Sequence, residues 1–300
     1  MSANLRGILA VLVASTAFVL NDALIKLVSA ELAASEIIVL RGILATLMLI
    51  AGVVALGAVR PISILFTPMM LLRVASAATA TVFIVLSLRR LPLATVTVVL
   101  QVTPLAVIAG ASILYGEKVG WQRWAAALTG FLGVVLIVKP GGSFGVAVYV
   151  LLSALLFTTT RDLTTRGLSH DIPSVFVAAA SSAAIMLAGV VLAPFDDAWT
   201  MPSSWAWATM TVSAACLFVA NTFMIMALRT GEIAVVAPFR YAPVPLAVVL
   251  GYLWWGDLPD TLGFVGTGLV LGAGFYTLHR ERAGFRAPPP MPVPQRSAAE

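Results

Sequence analysis

The chain has 300 residues, of which 60% are hydrophobic and only 10% are charged, against roughly 25% charged in soluble domains. With a mean hydropathy of +1.02, this composition excludes a water-soluble globular enzyme and leaves no room for a large soluble domain beside about ten membrane spans. The lone Cys216 excludes an intrachain disulfide, and the net charge of +5 is spread over helix ends and a short tail, so nucleic-acid binding is not indicated.

Polar and Pro/Gly-rich stretches divide the chain into ten apolar segments, which we predict to be membrane-spanning α-helices. Runs such as 43–59 are continuously apolar and lack the alternation of a β-barrel strand. The predicted spans are 5–28, 34–57, 66–88, 92–114, 121–138, 145–168, 172–193, 203–228, 232–255 and 260–279. The proline-rich segment 280–300 is predicted to be a disordered cytoplasmic tail.

Basic residues indicate the orientation of these spans. An even number of spans places both termini on one side, and eleven Lys and Arg residues fall on that side against four on the other. Because Lys and Arg accumulate on the cytoplasmic side, we expect both termini to be cytoplasmic, in a multi-pass protein of the bacterial inner membrane.

The sequence repeats itself at an offset of 140 residues. The offset aligns Asp22 with Asp162, Lys26 with Arg166, Arg89 with Arg229, Gly116 with Gly256, and Glu117 with Asp257. Two halves of five spans follow, 5–138 and 145–279. Since five is odd, the second half must cross the membrane in the opposite sense, and the predicted fold is all-α with two inverted five-helix repeats.

Several motifs resemble a known family of membrane proteins. They are Phe18–Lys26, Leu40-Arg41-Gly42, Gly116-Glu117-Lys118 followed by Trp121, and the glycine-bearing stretch Ala127–Leu136. With the two halves, they resemble the paired EamA domains of the drug/metabolite transporter superfamily. The resemblance covers about residues 5–279 and implies ten helices, cytoplasmic termini and carriage of small organic metabolites.

Charged residues inside membrane spans are costly and usually face a cavity or a partner. Eight fall within the predicted spans: Asp22, Lys26, Arg41, Arg73, Arg161, Asp162, Arg166 and Arg240. Lys26, Arg161 and Arg166 are close enough to helix ends to reach the interface. Asp22 with Lys26 and Asp162 with Arg166 have the i,i+4 spacing of a local ion pair, which is the alternative to a functional role.

We hypothesise that these charges form two gates, which are made and broken alternately. Asp22 and Arg41 belong to the outer part of the membrane, and Asp162 belongs to the inner part together with Arg73 or Arg240. Lys26 and Arg166 accompany the two aspartates as gating or coupling residues. Bases exceed acids six to two among the eight residues, which favours a substrate with an anionic or zwitterionic group.

The ninth span contains three prolines within 238–245. Proline removes a backbone donor and clashes with the preceding turn, so we predict a broken helix with carbonyls exposed to a cavity. Arg240 and Tyr241 lie in this break, and Tyr241 aligns with Gln101 of the first half. The predicted substrate contacts are Gln101, Tyr241, Arg240, Arg41, Arg73, Asn21 and Asn221, although the polar ones could instead bond neighbouring helices.

These features predict a secondary active transporter for a small organic metabolite, working by alternating access and not an enzyme. A passive channel or a structural membrane protein is the alternative, and an intramembrane aspartyl protease is a remote one, because Asp22 and Asp162 belong near opposite faces. Neither H-E-x-x-H nor a P-loop occurs, so no metal, cofactor or ATP is expected. The GxxxG spacing of Gly268 and Gly272 suggests a homodimer.

Overall fold

The computed structural model describes residues 3–115, 120–139, 145–169, 171–230 and 237–284. All regular structure in these ranges is helical, which confirms the all-α prediction. The eleven α-helices, numbered α1 to α11 in chain order, are Ala3–Val28, Ala34–Ala55, Pro68–Arg90, Leu93–Leu100, Thr103–Tyr115, Trp121–Val138, Val146–Arg166, Ser174–Leu192, Ser204–Thr230, Pro243–Trp255 and Thr261–Gly284. Short 3₁₀ helices occupy Ile62–Phe66, Ala193–Phe195 and Ala237–Tyr241.

Six stretches of the described chain are long and apolar enough to cross a membrane, judged by length and composition. They are Leu5–Val28, Ala34–Ala55, Pro68–Arg90, Leu93–Leu114, Val146–Thr165 and Ser174–Phe195. Three shorter apolar helices are Trp124–Val138, Ser204–Ala220 and Thr261–Thr277. Large apolar side chains on these helices face outward, as expected in lipid. The total of ten spans stays a prediction.

Two of the predicted boundaries differ from the structure. The fourth predicted span, 92–114, is two helices, α4 and α5, because Pro104 supplies no backbone donor to the turn before it. Helix α11 continues to Gly284, so the first residues of the predicted tail are helical. The rest of that tail, 285–300, lies outside the described residues, and so does the Gly116-Glu117-Lys118 motif.

Helices of the first half pack mainly against helices of the second half. The most extensive pairs are α1 with α9, α2 with α8, α3 with α7, and α6 with α11. Each pair is antiparallel, because contacts that move toward the end of one helix move toward the start of its partner. The contacts are Asn21 with Ser213, Thr46 with Ser182, Arg73 with Thr165, and Gly133 with Gly266.

The bundle has two ends, named here by the connections at each. The α1–α2 end contains residues 29–33 and the α8–α9 connection, 193–203, whose Asp196 accepts a 2.6 Å hydrogen bond from the Ser35 amide. The α2–α3 end contains residues 56–67 and the α7–α8 turn, where Arg60 donates to the Asp171 carbonyl over 3.5 Å. These contacts fix which helix ends lie together.

The α8–α9 connection lies across the α1–α2 end and is bonded to α2, to α3 and to the α1–α2 connection. Trp199 Nε1 donates to Ser35 Oγ over 2.8 Å, and the Ser203 amide donates to Glu31 over 2.9 Å. Arg89, at the end of α3, pairs with Asp196 and Asp197 over 3.4 and 3.1 Å. The connection therefore ties the ends of α1, α2 and α3 to the second half.

Candidate functional site

Two helices are broken at equivalent positions of the 140-residue repeat. The first break lies at Gln101 and Val102, between α4 and α5. In the second half, the 3₁₀ helix ends at Tyr241, 140 residues after Gln101, and α10 begins at Pro243. At 1.5 Å per residue, the first break is about 12 Å along the helix from its start, which is well inside a bilayer.

Local bonds compensate for the donors that proline removes at the breaks. Pro104 cannot donate to the Leu100 carbonyl, and that carbonyl instead accepts a 2.6 Å bond from Thr103 Oγ1. In the second half, the Ala242 amide donates to the Phe239 carbonyl over 3.1 Å, and Pro243 opens the next helix. Irregular backbone at membrane depth persists only where protein or a water-lined cavity satisfies its polar groups.

The two breaks are joined by one hydrogen bond between the halves. Gln101 Nε2 donates to the Arg240 carbonyl over 2.7 Å. This contact brings together three of the predicted substrate residues, because Tyr241 directly follows Arg240. The Arg240 side chain is exposed, whereas Tyr241 is buried at 7% exposure. A polar junction between broken helices of opposite halves is the usual place of a transporter binding site.

Tyr241 is seated on the last helix. A Cβ atom at Gly274 would overlap the ring and hydroxyl of Tyr241, so only glycine leaves room for the ring. The ring also lies 5.4 Å from that of Phe275, in a tilted arrangement. The sequence prediction missed Gly274, whose only signal was a glycine in a run of small residues.

A buried polar cluster lies toward the α1–α2 end and consists of Asn21, Asp22, Arg41 and Ser213. Ser213 Oγ donates to Asn21 Oδ1 over 2.8 Å, and Asn21 Nδ2 donates to Asp22 Oδ1 over 2.9 Å. Asp22 and Arg41 interact through their charges. Asn21, Arg41 and Ser213 are 2%, 8% and 0% exposed. We call this set the α1–α2 cluster.

A second cluster lies toward the α2–α3 end and consists of Arg73, Arg161, Asp162 and Ser181. Arg161 and Asp162 form an ion pair at 2.8 Å. Arg73 donates to Ser181 Oγ, and its Nε also donates to Thr165 Oγ1 over 3.0 Å. The charges of Arg161 and Asp162 both act on Arg73. We call this set the α2–α3 cluster.

The structure selects among the predicted partners of the charged residues. It places Arg73 in the same cluster as Asp162, where Arg73 bonds Thr165 and Ser181 and Asp162 pairs with Arg161. Arg240 lies instead at the junction of the breaks. The Lys26 ammonium donates to the Leu88 and Leu91 carbonyls over 3.2 and 2.6 Å. It also lies 5.3 Å from the Trp255 ring centre.

Lys26 therefore uses its donors at the end of α3, where carbonyls have no helical partner, rather than in the i,i+4 pair with Asp22. The side chains of Arg166 and Asn221 lie outside the described residues. Within the described ranges, no group of three or more His, Cys, Asp and Glu residues is placed to hold a metal ion.

The sequence analysis also missed Ser181 and Ser213, although the repeat contained a signal for both. Ser181 lies 140 residues after Arg41, and Ser213 lies 140 residues after Arg73. A serine aligned with an intramembrane arginine attracts no attention in a search for charges alone.

The fold and the two broken helices define a multi-pass membrane protein of the transporter type. Residues 5–139 match the model of the EamA-like transporter family. The resemblance seen in the sequence motifs is thereby confirmed.

Related proteins of known name are membrane transporters. The pseudopaline exporter CntI of Pseudomonas aeruginosa is 26% identical over 285 residues, covering 93% of this chain and 97% of the exporter. The riboflavin transporter of Rhizobium johnstonii is 29% identical over 194 residues, 62% of each chain. The S-adenosylmethionine uptake transporter of Rickettsia prowazekii is 24% identical over 192 residues, covering 64% of this chain and 65% of that protein.

A crystal structure with 18% sequence identity has a TM-score of 0.62, covering 94% of this chain and 98% of that chain. At this identity the likeness shows the fold alone. Together, the named relatives support transport of a metabolite as the class of function.

Proposed function

We propose that the protein is a secondary active transporter, which carries a small organic metabolite with an anionic or zwitterionic group across the bacterial inner membrane by alternating access. Both termini lie on the cytoplasmic side in this proposal, so the α1–α2 end faces outward. Relatives named for pseudopaline, riboflavin and S-adenosylmethionine support an organic solute as the substrate.

The observation that carries the proposal is the bond from Gln101 to the Arg240 carbonyl. It joins two helices that are broken at positions 140 residues apart, and broken helices expose backbone carbonyls and amides that can bind solute. Gln101, Arg240 and Tyr241 are the proposed substrate contacts at this junction, and Asn221 of α9 is a further proposed contact.

An inverted repeat accounts for the packing of the helices. The pairs α1 with α9 and α7 with α3 are equivalents of each other under the repeat, and both are antiparallel. A pseudo-twofold relation of this kind allows one half to adopt the conformation of the other, which exchanges the open end. The halves are 5–138 and 145–279.

The two clusters serve as gates in this proposal. Asp22 and Arg41 stabilise the closed α1–α2 end, whereas Asp162 and Arg73 stabilise the closed α2–α3 end. Lys26 and Arg166 accompany them near the helix ends. Desolvated charges are stable in a membrane only when paired, so a substrate anion that competes for an arginine can open a gate.

The first experiment identifies a ligand and then tests exchange. The purified protein is heated with glutamate, citrate, histidine, riboflavin or S-adenosylmethionine, and a bound compound raises the unfolding temperature. Liposomes that contain the protein are then loaded with the stabilising compound. We expect saturable uptake of the labelled compound and counterflow. Flux without saturation or counterflow would indicate the passive channel instead.

A variant of the junction tests the site itself. Gln101→Leu leaves the Arg240 carbonyl without its donor, which costs about 1–3 kcal/mol, and we expect transport efficiency to fall about tenfold or more. Thr129→Val is the control, because its hydroxyl only bonds the Ala125 carbonyl of its own helix. Equal activity in both variants would contradict a site at the junction.

A further inference from the structure

The two clusters occupy the same four positions of the repeat. Adding 140 to Asn21, Asp22 and Arg41 gives Arg161, Asp162 and Ser181, and subtracting 140 from Ser213 gives Arg73. The structure brings each set of four together, one toward each end of the bundle. The aspartate keeps its position in both clusters.

Arginine and serine exchange places between the two clusters. In the α1–α2 cluster, the arginine is on α2 and the serine is on α9. In the α2–α3 cluster, Arg73 is on α3, the equivalent of α9, and the serine is on α8, the equivalent of α2. A second arginine, Arg161, takes the place of Asn21 on α7. The α2–α3 cluster therefore has one arginine from each half, and Arg73 is the one that bonds across the halves to Ser181.

This exchange changes the kind of bond that joins the two halves. Asp22 and Arg41 both belong to the first half, and the contact between halves is the neutral bond from Ser213 to Asn21. In the other cluster, Arg73 of the first half donates to Ser181 and Thr165 of the second half, while Asp162 pairs with Arg161 of its own half. There the halves are joined by a cation.

We infer that the two gates are unequal, with charge-assisted hydrogen bonds from Arg73 between the halves at the α2–α3 end and a neutral hydrogen bond between them at the α1–α2 end. The inference deepens the proposed transport function and rests on it, since the ends must open in turn. A hydrogen bond with a charged donor is roughly twice as strong as a neutral one. Closure of the α2–α3 end is consequently the more sensitive of the two to charge.

The chain offers matched thiol reporters for water access behind each gate. Cys216 is the only cysteine and lies one turn deeper in α9 than Ser213. Its repeat equivalent is Ser76, which lies one turn deeper in α3 than Arg73 and is 2% exposed. Ser76→Cys in a Cys216→Ser background reports on the α2–α3 end. Labelling uses a membrane-impermeant maleimide on vesicles of either orientation.

Cysteines in the exposed connections identify the two vesicle faces. Met201→Cys marks the α1–α2 end and Ile62→Cys marks the α2–α3 end, since these residues are 96% and 70% exposed. Labelling rates behind each gate are compared with the rate at the marker on the same face.

Two exchanges that preserve composition test the inference, and the expected effects have opposite signs. Arg73→Ser with Ser181→Arg moves the cation into the same half as Asp162, and we expect labelling at position 76 to rise about tenfold. Arg41→Ser with Ser213→Arg moves the cation across the halves, and we expect labelling of Cys216 to fall about tenfold. Arg73→Lys keeps a cation in place and should stay within about twofold of the parent, if a difference under 0.5 kcal/mol is taken as neutral.

Wild-type labelling in the Arg73→Ser, Ser181→Arg exchange would overturn the inference, because the half that supplies the cation would then have no effect on closure of the α2–α3 end. A rise at both ends would also overturn it. Should either exchange fail to elute as a folded protein, Arg73→Gln removes the cation between the halves by a single substitution and must raise labelling at position 76. The labelling needs no substrate and therefore tests the unequal gates separately from transport. Absent counterflow in liposomes would contradict the proposed transport, whereas unchanged labelling would contradict the unequal gates.

Discussion

Tyr241 shows how one small residue determines the position of a large one. Its ring fills the space that a side chain at 274 would occupy, and its backbone follows the Arg240 carbonyl that accepts from Gln101. The equivalent of Gly274 in the first half is Val134, and the equivalent of Tyr241 is the smaller Gln101. The large ring and the missing side chain therefore occur together in one half only.

Gly274→Ala tests the seating of this ring. The added methyl group must displace Tyr241, and overpacking of this kind costs about 1–3 kcal/mol. We expect a lower unfolding temperature in detergent and a changed KM for the transported compound. Gly272→Ala is the matched control. Gly272 lies on the same helix as Gly274, and none of the described residues lies within 4 Å of a Cβ added there. Equal unfolding temperatures for the two variants would contradict the seating.

A double variant tests whether Tyr241 contacts the substrate or only fills space beside Gly274. Tyr241→Leu with Gly274→Ala removes the overlapping atoms of the ring, so stability should recover while the changed KM persists. Recovery of both properties would mean that the tyrosine is not a substrate contact.

At the scale of the elements, the α8–α9 connection determines how tightly the α1–α2 end is tied. Burial raises the pKa of Asp196, but bonds from the Ser35 and Asp197 amides and the Arg89 charge outweigh burial, so the pKa lies below its usual range. A carboxyl with a lowered pKa contributes stability that is present at neutral pH and lost as the pH falls through its folded-state pKa.

Asp196→Asn should therefore destabilise the protein more at pH 7 than at about pH 3, which lies below the ordinary Asp pKa of about 3.9, so that part of this contribution is already lost there. The expected loss at pH 7 is about 1–3 kcal/mol, as for a hydrogen-bonded buried charge. Thermal unfolding in detergent at the two pH values measures it. Asp197→Asn is the control, since that side chain is 76% exposed. A loss independent of pH would show that the charge of Asp196 is not what stabilises the connection.

Close contact between two helices depends on glycines that face each other, one on each helix. Helices α6 and α11 meet at Gly133 and Gly266, where an added Cβ on either helix would collide with the backbone of the other. By contrast, among the described residues nothing lies within 4 Å of a Cβ added at Gly268 or Gly272. The small-residue run thus has a packing face, and its GxxxG pair faces open space in the described part of the chain. The homodimer stays a prediction.

On the scale of the whole molecule, the proposed cycle requires that one end close as the other opens. Asp22 and Asp162 occupy equivalent positions in the two clusters. Neutralising Asp22 should weaken closure of the α1–α2 end, and neutralising Asp162 should weaken closure of the α2–α3 end. We expect Asp22→Asn and Asp162→Asn to lower counterflow at least tenfold, given couplings of about 1–3 kcal/mol. Transport at wild-type rates in both variants would contradict the gates and leave the binding junction unaffected.

Much of the architecture could be predicted because it depends on local and periodic properties. Apolar length predicts membrane helices, and the coincidence of polar residues 140 positions apart pointed to two halves. The proline-rich stretch before Pro245 predicted a broken helix, and the structure has a 3₁₀ segment there. The break at Gln101 was less evident, because Pro104 is the only proline between 93 and 115.

The partners of the charges were decided only by the tertiary structure. Spacing along α1 suggested that Lys26 pairs with Asp22, but a long flexible side chain reaches any carbonyl that lacks a partner, and the end of α3 supplied two. Spacing likewise left Asp162 with two possible arginines, and helix packing placed Arg73 in its cluster, while Asp162 itself pairs with the adjacent Arg161. The sequence by itself determined that the chain is a helical membrane protein with an internal repeat, since hydrophobicity and period are properties of a segment. Which charged residues come together, and whether they belong to one half of the chain or to both, depends on how side chains fit at the antiparallel helix contacts. Those contacts form only in the folded bundle.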